Sequence, residues 1–266
     1  MKVANKVIVI TGAGSGMGRE LAIQLVNKGA KVALLDINQE ALAETAKIAG
    51  AQHCSIHQVN VTNLESITLL PDLIIKHHGT IDGIINNAGI IQPFIPINDL
   101  EYETIKRVMD VNFYGTVYMT KTFLPYLLQR PEAHIANVTS MGGFIPFPGQ
   151  SVYSASKAAV KMFTEGLYGE LKNTNVGVTI IHPGAINTNI MGNSGLETNT
   201  ASQEKAASNN KMLSATKAAE IMIDAIEKNK FRVMVGKDAS FLDKLYRLSP
   251  KFAVNFIVKN MSKSKH

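Results

Sequence analysis

The sequence predicts an α/β protein: one domain built on an open, doubly wound parallel sheet with helices on both faces. Three observations carry this reading. Short β-branched runs alternate with helix-period segments along most of the 266 residues, and such alternation implies parallel strands joined by right-handed crossovers. The first run leads directly into a glycine-rich turn and then a helix. Hydrophobic residues make up 45% and charged residues 18% of the chain, enough to bury a core and too apolar for disorder.

The elements follow in order. Residues 6–11 form a continuous β-branched run, the mark of a strand buried on both faces. Residues 17–28 place Leu21, Ala22 and Leu25 at helical spacing, and Gly29 stops the helix. A second strand is expected at 31–36, a second helix at 39–49 and a third strand at 53–59. A helix is expected at 64–78, bent or broken by Pro71. Strand 81–86 precedes residues 100–128, which read as one long helix or two joined ones. Strand 133–139, helix 151–172, strand 176–182, helix 214–228 and strand 232–235 complete the pattern. No apolar run reaches the length that spans a bilayer. The single Cys54 excludes a disulfide framework or a four-thiolate zinc site. Together with an N-terminus too short in apolar residues for a signal peptide, it predicts a cytoplasmic setting.

In such sheets ligands sit at the carboxyl ends of the strands. After the first strand comes Thr11-Gly12-Ala13-Gly14-Ser15-Gly16-Met17-Gly18, a turn that offers backbone N–H groups and a positive helix end to a diphosphate. Asp36 closes the second strand, where a carboxylate accepts ribose hydroxyls and repels a 2′-phosphate. No Arg or Lys follows it, and Ser15 stands where a base would have favoured NADP, so NAD is the expected cofactor. Tyr153 and Lys157 share one face of the 151–172 helix. An ammonium about 4 Å from a phenol, at an effective dielectric near 20, favours phenolate by about 4 kcal/mol. The expected result is a tyrosine pKa lowered into the physiological range. Ser140 ends the fifth strand, and Asn86-Asn87-Ala88-Gly89 ends the fourth, on the same sheet edge.

With these motifs the chain resembles the short-chain dehydrogenase/reductase family, in its short, non-extended branch, over about residues 6 to 235. Six segments carry the resemblance: Thr11-Gly12-x-x-x-Gly16-x-Gly18, Asn86-Asn87-Ala88-Gly89, Asn112, Ser140 thirteen positions before the tyrosine, Tyr153-x-x-x-Lys157, and Pro183-Gly184-Ala185-Ile186-Asn187-Thr188. The resemblance implies a Rossmann-like fold and hydride transfer between nicotinamide and a carbinol carbon. It implies Tyr153 as general acid/base, Lys157 as the group that lowers its pKa, Ser140 as holder of the substrate oxygen, and Asn112 as holder of a relay water. The implied cofactor contacts are Gly12, Ser15, Gly16, Met17, Gly18, Asp36, Asn87, Ala88, Gly89, Tyr153, Lys157, Pro183, Gly184, Ile186 and Thr188. Where many relatives carry Asp-Val after the third strand this chain has Asn60-Val61, and Asn60 is kept as an adenine contact through its amide oxygen. A homodimer or homotetramer is the assembly the family suggests.

Other features are weaker. His53 and His57 alternate with Cys54 along a strand, which suits ordinary strand residues better than a metal site. His77 and His78 suit the negative end of their helix. Ile90, Ile91, Phe94 and residues 142–149 should wall an apolar substrate site, fitting a lipophilic alcohol or ketone such as a steroid, a long-chain acyl compound or a terpenoid. Residues 187–212 read as a mobile lid. Residues 1–236 are then the catalytic domain and 237–266 a basic amphipathic extension. Most of the net charge of +6 lies in that extension, through Lys237, Lys244, Arg247, Lys251, Lys259, Lys263 and Lys265. The near-neutral body argues against nucleic-acid binding. The extension either touches an anionic membrane surface weakly or packs on the protein. Three alternatives share the fold: a 3-oxoacyl thioester reductase, a non-catalytic dinucleotide sensor and a membrane-surface binding protein. The complete tetrad argues against the last two, and Asp36 against the first.

Overall fold

The computed structural model describes residues 1–196 and 212–263. Among them, seven parallel strands form one sheet: β1 (Val7–Thr11), β2 (Lys31–Asp36), β3 (Cys54–Gln58), β4 (Gly83–Asn86), β5 (Ala133–Val138), β6 (Val176–Pro183) and β7 (Arg232–Val235). Their order is β3-β2-β1-β4-β5-β6-β7. Every residue of β1, β4 and β5 is buried, because helices cover both faces. Along β1 the pleat sends Ile8 and Ile10 to one core and Val7 and Val9 to the other.

The first core packs against helices α1 (Gly16–Asn27) and α7 (Ala215–Glu227), through Leu21, Leu25, Met222 and Ile223. Helix α2 (Gln39–Ala49) adds Leu42 and Ala46 on this side. The second core packs against α3 (Leu64–His78) through Ile67 and Ile74, against α5 (Gly115–Leu128) through Phe123 and Leu127, and against α6 (Ser151–Leu171) through Leu167. The strand order turns back on itself between β1 and β4, which opens the ligand crevice above their carboxyl ends.

Two helical expectations resolve, and two for histidines change. Pro71 lies inside α3, which is not broken there. The 100–128 segment takes the form of two joined helices: α4 (Tyr102–Met109) and α5 meet through a π turn at Asp110–Tyr114, which buries Asn112. Such single-turn bulges cluster at functional sites. His53 belongs to a 3-10 turn before β3, and Ser55 Oγ bridges His57 Nε2 at 2.8 Å and His78 Nε2 at 2.9 Å. Burial pushes His78 down to about 4, so it is uncharged at neutral pH and gives no cation to its helix end. Of the expected lid, residues 197–211 lie outside the described residues.

The C-terminal segment folds into α8 (Lys237–Leu248) and α9 (Pro250–Lys263). Leu242, Ala253 and Ile257 bury themselves against Ile145, with Met141, Phe144 and Phe147 packed alongside. Phe144, Ile145 and Phe147, expected to wall the substrate site, therefore place part of their apolar surface against these helices. Phe241, Leu248, Phe252 and Phe256 stay exposed.

At the opposite edge of the sheet Asp82 is 1% exposed. Its carboxylate accepts the Val7 N–H at 2.9 Å and the Arg130 Nε–H at 2.9 Å. Asp82→Ala leaves the part-exposed Arg130 guanidinium and a buried strand amide unmet, so urea unfolding is expected to show a loss of about 2 kcal/mol. A loss under about 1 kcal/mol would contradict that role.

Candidate active site

The glycine turn is built to approach a ligand closely. Gly12 holds φ at +67°, in the left-handed region. A side chain on Gly18 would lie 2.0 Å from the Gly12 carbonyl oxygen, so only glycine lets α1 begin against the turn. Ser15 gives α1 no side-chain cap, and no acidic residue stands in its first turn. The uncapped N–H groups at the positive helix end fit a diphosphate. Thr11 Oγ fixes the far wall by accepting the N–H groups of Asn87 at 2.9 Å and Ala88 at 3.0 Å. The buried Asn87 Oδ1 has no protein partner. Cradle, helix end and orphaned acceptor together fit a dinucleotide.

Asp36 sits at the rim of this cradle. Its carboxylate accepts the N–H of Gly14 at 2.9 Å and of Asn38 at 3.0 Å. It does not cap α2, since Asn38 takes that role through the Ala41 N–H. The nearest guanidinium is occupied. Arg19 Nη2 donates to Gly14 O at 2.7 Å and to Glu44 at 2.6 Å. On the other side, Thr188 packs beside Gly16, and Asn193 Nδ2 donates to Ser15 Oγ at 2.8 Å.

Tyr153, Ser140, Lys157 and Asn112 meet at the carboxyl ends of β4 and β5. Ser140 Oγ accepts the Gly142 N–H at 3.0 Å, which leaves its own proton for the Tyr153 phenol. That hydrogen bond lowers the phenol's pKa, but burial outweighs it, and the net shift is upward. This corrects the lowered pKa expected from Lys157. The lysine is itself buried and donates from Nζ to Val138 O at 3.1 Å. Burial brings its pKa down to about 8. Desolvation penalises both charges and outweighs the attraction expected between them, a cost that helical spacing alone does not include.

Asn112 takes on a further role. Its Oδ1 accepts the Ile90 N–H at 2.9 Å, and its Nδ2 donates to Ile90 O at 3.0 Å and Ser156 Oγ at 2.9 Å. The side chain thereby clamps the loop after β4, and Oδ1 keeps one lone pair for a further donor such as the expected water. Asn60 Oδ1 likewise accepts both the N–H and the hydroxyl of Thr62, at 3.0 and 2.9 Å. An adenine amino group would have to displace one of these.

Three contributors escaped the sequence reading. Thr11 was read only as part of a motif. Gln92 is fully buried and reaches the N-terminus of α6. His182 steadies the Ser140 backbone. Arg232 Nε donates to His182 Nε2 at 3.2 Å, so Nδ1 carries the proton and faces Ser140 O at 3.2 Å and Thr139 Oγ1 at 2.7 Å. Burial first and Arg232 second hold its pKa down to about 3. Arg232 in turn pairs with Asp243 of α8 at 2.8 Å, and Asp238 of α8 accepts the Ala185 N–H at 2.7 Å. A strand histidine, a distant arginine and a tail aspartate share no local pattern that would have joined them.

The Lys157 shift sets a stability test. Between about pH 8 and its ordinary 10.5, the unfolded chain keeps a proton that the folded chain has released. Stability from this group therefore rises with pH through that window, and the full penalty is present below about 8. Lys157→Met removes the penalty at the cost of one hydrogen bond. Denaturant unfolding at pH 7 is expected to show a gain of about 2 kcal/mol that fades as pH rises toward 10.5. A variant less stable than the parent at pH 7 would contradict the buried-cation account.

Comparison with known proteins agrees with this geometry. The family model described as short chain dehydrogenase matches residues 6–199. SadH of Mycobacterium tuberculosis, an oxidoreductase by name, is 38% identical over 250 residues, covering 91% of this chain and 90% of that protein. The mouse dehydrogenase/reductase SDR family member 7B is 36% identical over 246 residues, covering 87% and 73%. Among solved structures, a short chain dehydrogenase/reductase from Burkholderia phymatum in complex with NAD aligns with a TM-score of 0.86 at 26% identity, over 95% of this chain and 96% of that one. A short chain dehydrogenase from Burkholderia cenocepacia in complex with NADP aligns at 0.81 and 25%, over 97% and 99%. On the match over most of its length and on these relatives, the chain belongs to the short-chain dehydrogenase/reductase family of oxidoreductases.

Proposed function

We propose that this oxidoreductase uses NAD to interconvert a lipophilic secondary alcohol and its ketone, with Tyr153 as the general acid and base. The observation that carries the reading is the buried phenol hydrogen-bonded to Ser140, one helical turn from the Lys157 ammonium. Bound nicotinamide supplies or accepts the hydride. The chain's residues manage the proton and the charge. In reduction, Tyr153 gives its proton to the substrate oxygen as negative charge develops there, and the Ser140 hydroxyl donates a hydrogen bond to the same oxygen. Lys157 then favours the phenolate left behind. In oxidation the phenolate takes the alcohol proton. The raised pKa keeps Tyr153 protonated at neutral pH, the state that reduction needs.

Asp36 supports NAD over NADP. A 2′-phosphate would meet its carboxylate, and the nearest arginine is already bound to Glu44. Phe94, 54% exposed beside Gly149, and the half-buried Ile90 and Met191 support an apolar substrate. The 3-oxoacyl thioester alternative loses ground through Asp36. The exposed Phe241, Leu248, Phe252 and Phe256 among Lys244, Arg247 and Lys251 support weak contact with an anionic membrane surface. A homodimer or homotetramer and a cytoplasmic setting complete the reading.

The test is absorbance at 340 nm with NAD or NADP against a panel of secondary alcohols, and with the reduced cofactors against the ketones. NAD is expected to exceed NADP in kcat/KM by about a hundredfold, and a preference for NADP would overturn the Asp36 assignment. Tyr153→Phe is expected to lower kcat about a thousandfold while NAD still binds. Oxidation should speed up with rising pH as the phenol loses its proton, and reduction should slow over the same range. Parallel pH profiles in the two directions would contradict Tyr153 as the titrating group.

A further inference from the structure

Helix α6 carries Tyr153 in its first turn, where backbone N–H groups have no carbonyl one turn earlier to bond. Its own N-cap, Gln150, gives no side-chain hydrogen bond to the helix. The missing acceptor comes from another element. Gln92, in the loop after β4, sends Oε1 to the N–H of Val152 at 2.9 Å and to the N–H of Tyr153 at 2.9 Å. Its Nε2 donates to Gly149 O at 3.0 Å, and its own carbonyl accepts Gln150 Nε2 at 2.7 Å. The side chain has no exposed surface. Both polar ends of one amide are therefore used, and they fix the entry and the first turn of the helix together.

The loop that holds Gln92 is itself fixed. Asn112 clamps both backbone groups of Ile90, and Ser194 Oγ accepts the Ile91 N–H at 3.0 Å. Gln92 thus transmits the position of the β4 end, where the dinucleotide cradle is anchored, to the backbone of Tyr153.

We propose that Gln92 is a positioning residue for Tyr153: it caps α6 from outside the helix and sets the placement and acidity of the phenol relative to the β4 edge. This deepens the proposed function and rests on Tyr153 being its proton handler. The choice of an amide has a reason. A carboxylate at 92 would accept the same two N–H groups, but when ionised it would have no proton for Gly149 O and would set a negative charge at the backbone of the residue whose phenol must itself become negative. Around Tyr153, the ionisable neighbour on α6 is Lys157, and the β5 end contributes the neutral Ser140 hydroxyl.

Two readouts on the full chain need no substrate. The first is amide hydrogen exchange at Val152 and Tyr153. Gln92→Leu is expected to speed exchange there by about tenfold relative to the rest of α6, and Gln92→Glu to leave it protected. Should Gln92→Leu fail to fold, Gln92→Asn, which keeps the amide on a shorter stem, serves in its place. The second is the phenolate absorbance at 295 nm titrated against pH, with the Tyr153→Phe titration subtracted to isolate Tyr153. Gln92→Leu, which adds no charge, is expected to raise the Tyr153 midpoint by about half a unit, because a displaced phenol loses the Ser140 hydrogen bond that lowers it, a shift that a merely structural role would not produce. Unchanged exchange in the leucine or asparagine variant, or a midpoint in that variant that superimposes on the parent, would overturn the proposal. A failure of the Tyr153 reading is separate, because it appears as turnover retained by Tyr153→Phe with NAD and the alcohol panel, whatever the exchange and titration show.

Discussion

The structure depends on holding an ionisable pair away from bulk water. Tyr153 and Lys157 lie one helical turn apart, the lysine buried and the tyrosine half-buried, and burial pushes each toward its neutral form. In such a place a misplaced dipole is costly and a well-placed one is strong. Fixed donors and acceptors therefore surround the pair: Ser140 on the phenol, Val138 O under the ammonium, Gln92 on the helix backbone. The penalty on each charge suits the proposed chemistry, in which a proton moves at a set point.

Much of the architecture exists to hold those dipoles still. Thr11 locks β1 to β4, and the π turn turns Asn112 inward to grip Ile90. The C-terminal helices reach the same region from the far side. Asp243 holds Arg232, Arg232 holds the tautomer of His182, and that histidine steadies the Ser140 backbone. Asp238 meanwhile secures Ala185 in the segment after β6. A segment that reads as a detachable basic tail is thus joined to two walls of the site.

The sequence revealed what depends on local pattern. Period-2 and continuous apolar runs located all seven strands to within two residues, because helices on both faces leave little room for polar side chains. The glycine turn, Asp36, Ser140, Tyr153 and Lys157 were legible because each sits just past a strand end or at helical spacing. What escaped depends on tertiary contact. Nothing near Gln92 announces that its amide meets a helix start some sixty positions later. The π turn has no distinct local signature, since weak helix formers such as Val111, Asn112 and Gly115 do not tell it from a continuous helix. The direction of the Tyr153 shift was misjudged because burial cannot be read from an i, i+4 spacing. Residues 144–147 were apolar as noted, but their partners proved to be the C-terminal helices.

The central claim concerns where one hydroxyl points, and a crystal structure of the chain with NAD and an unreactive lipophilic alcohol analogue would measure it. The account predicts that Tyr153 Oη and Ser140 Oγ both lie within hydrogen-bond distance of the analogue's oxygen, with the nicotinamide's reactive carbon facing the carbon that bears it. A phenol turned away from the nicotinamide, or an analogue oxygen held by other residues, would contradict it.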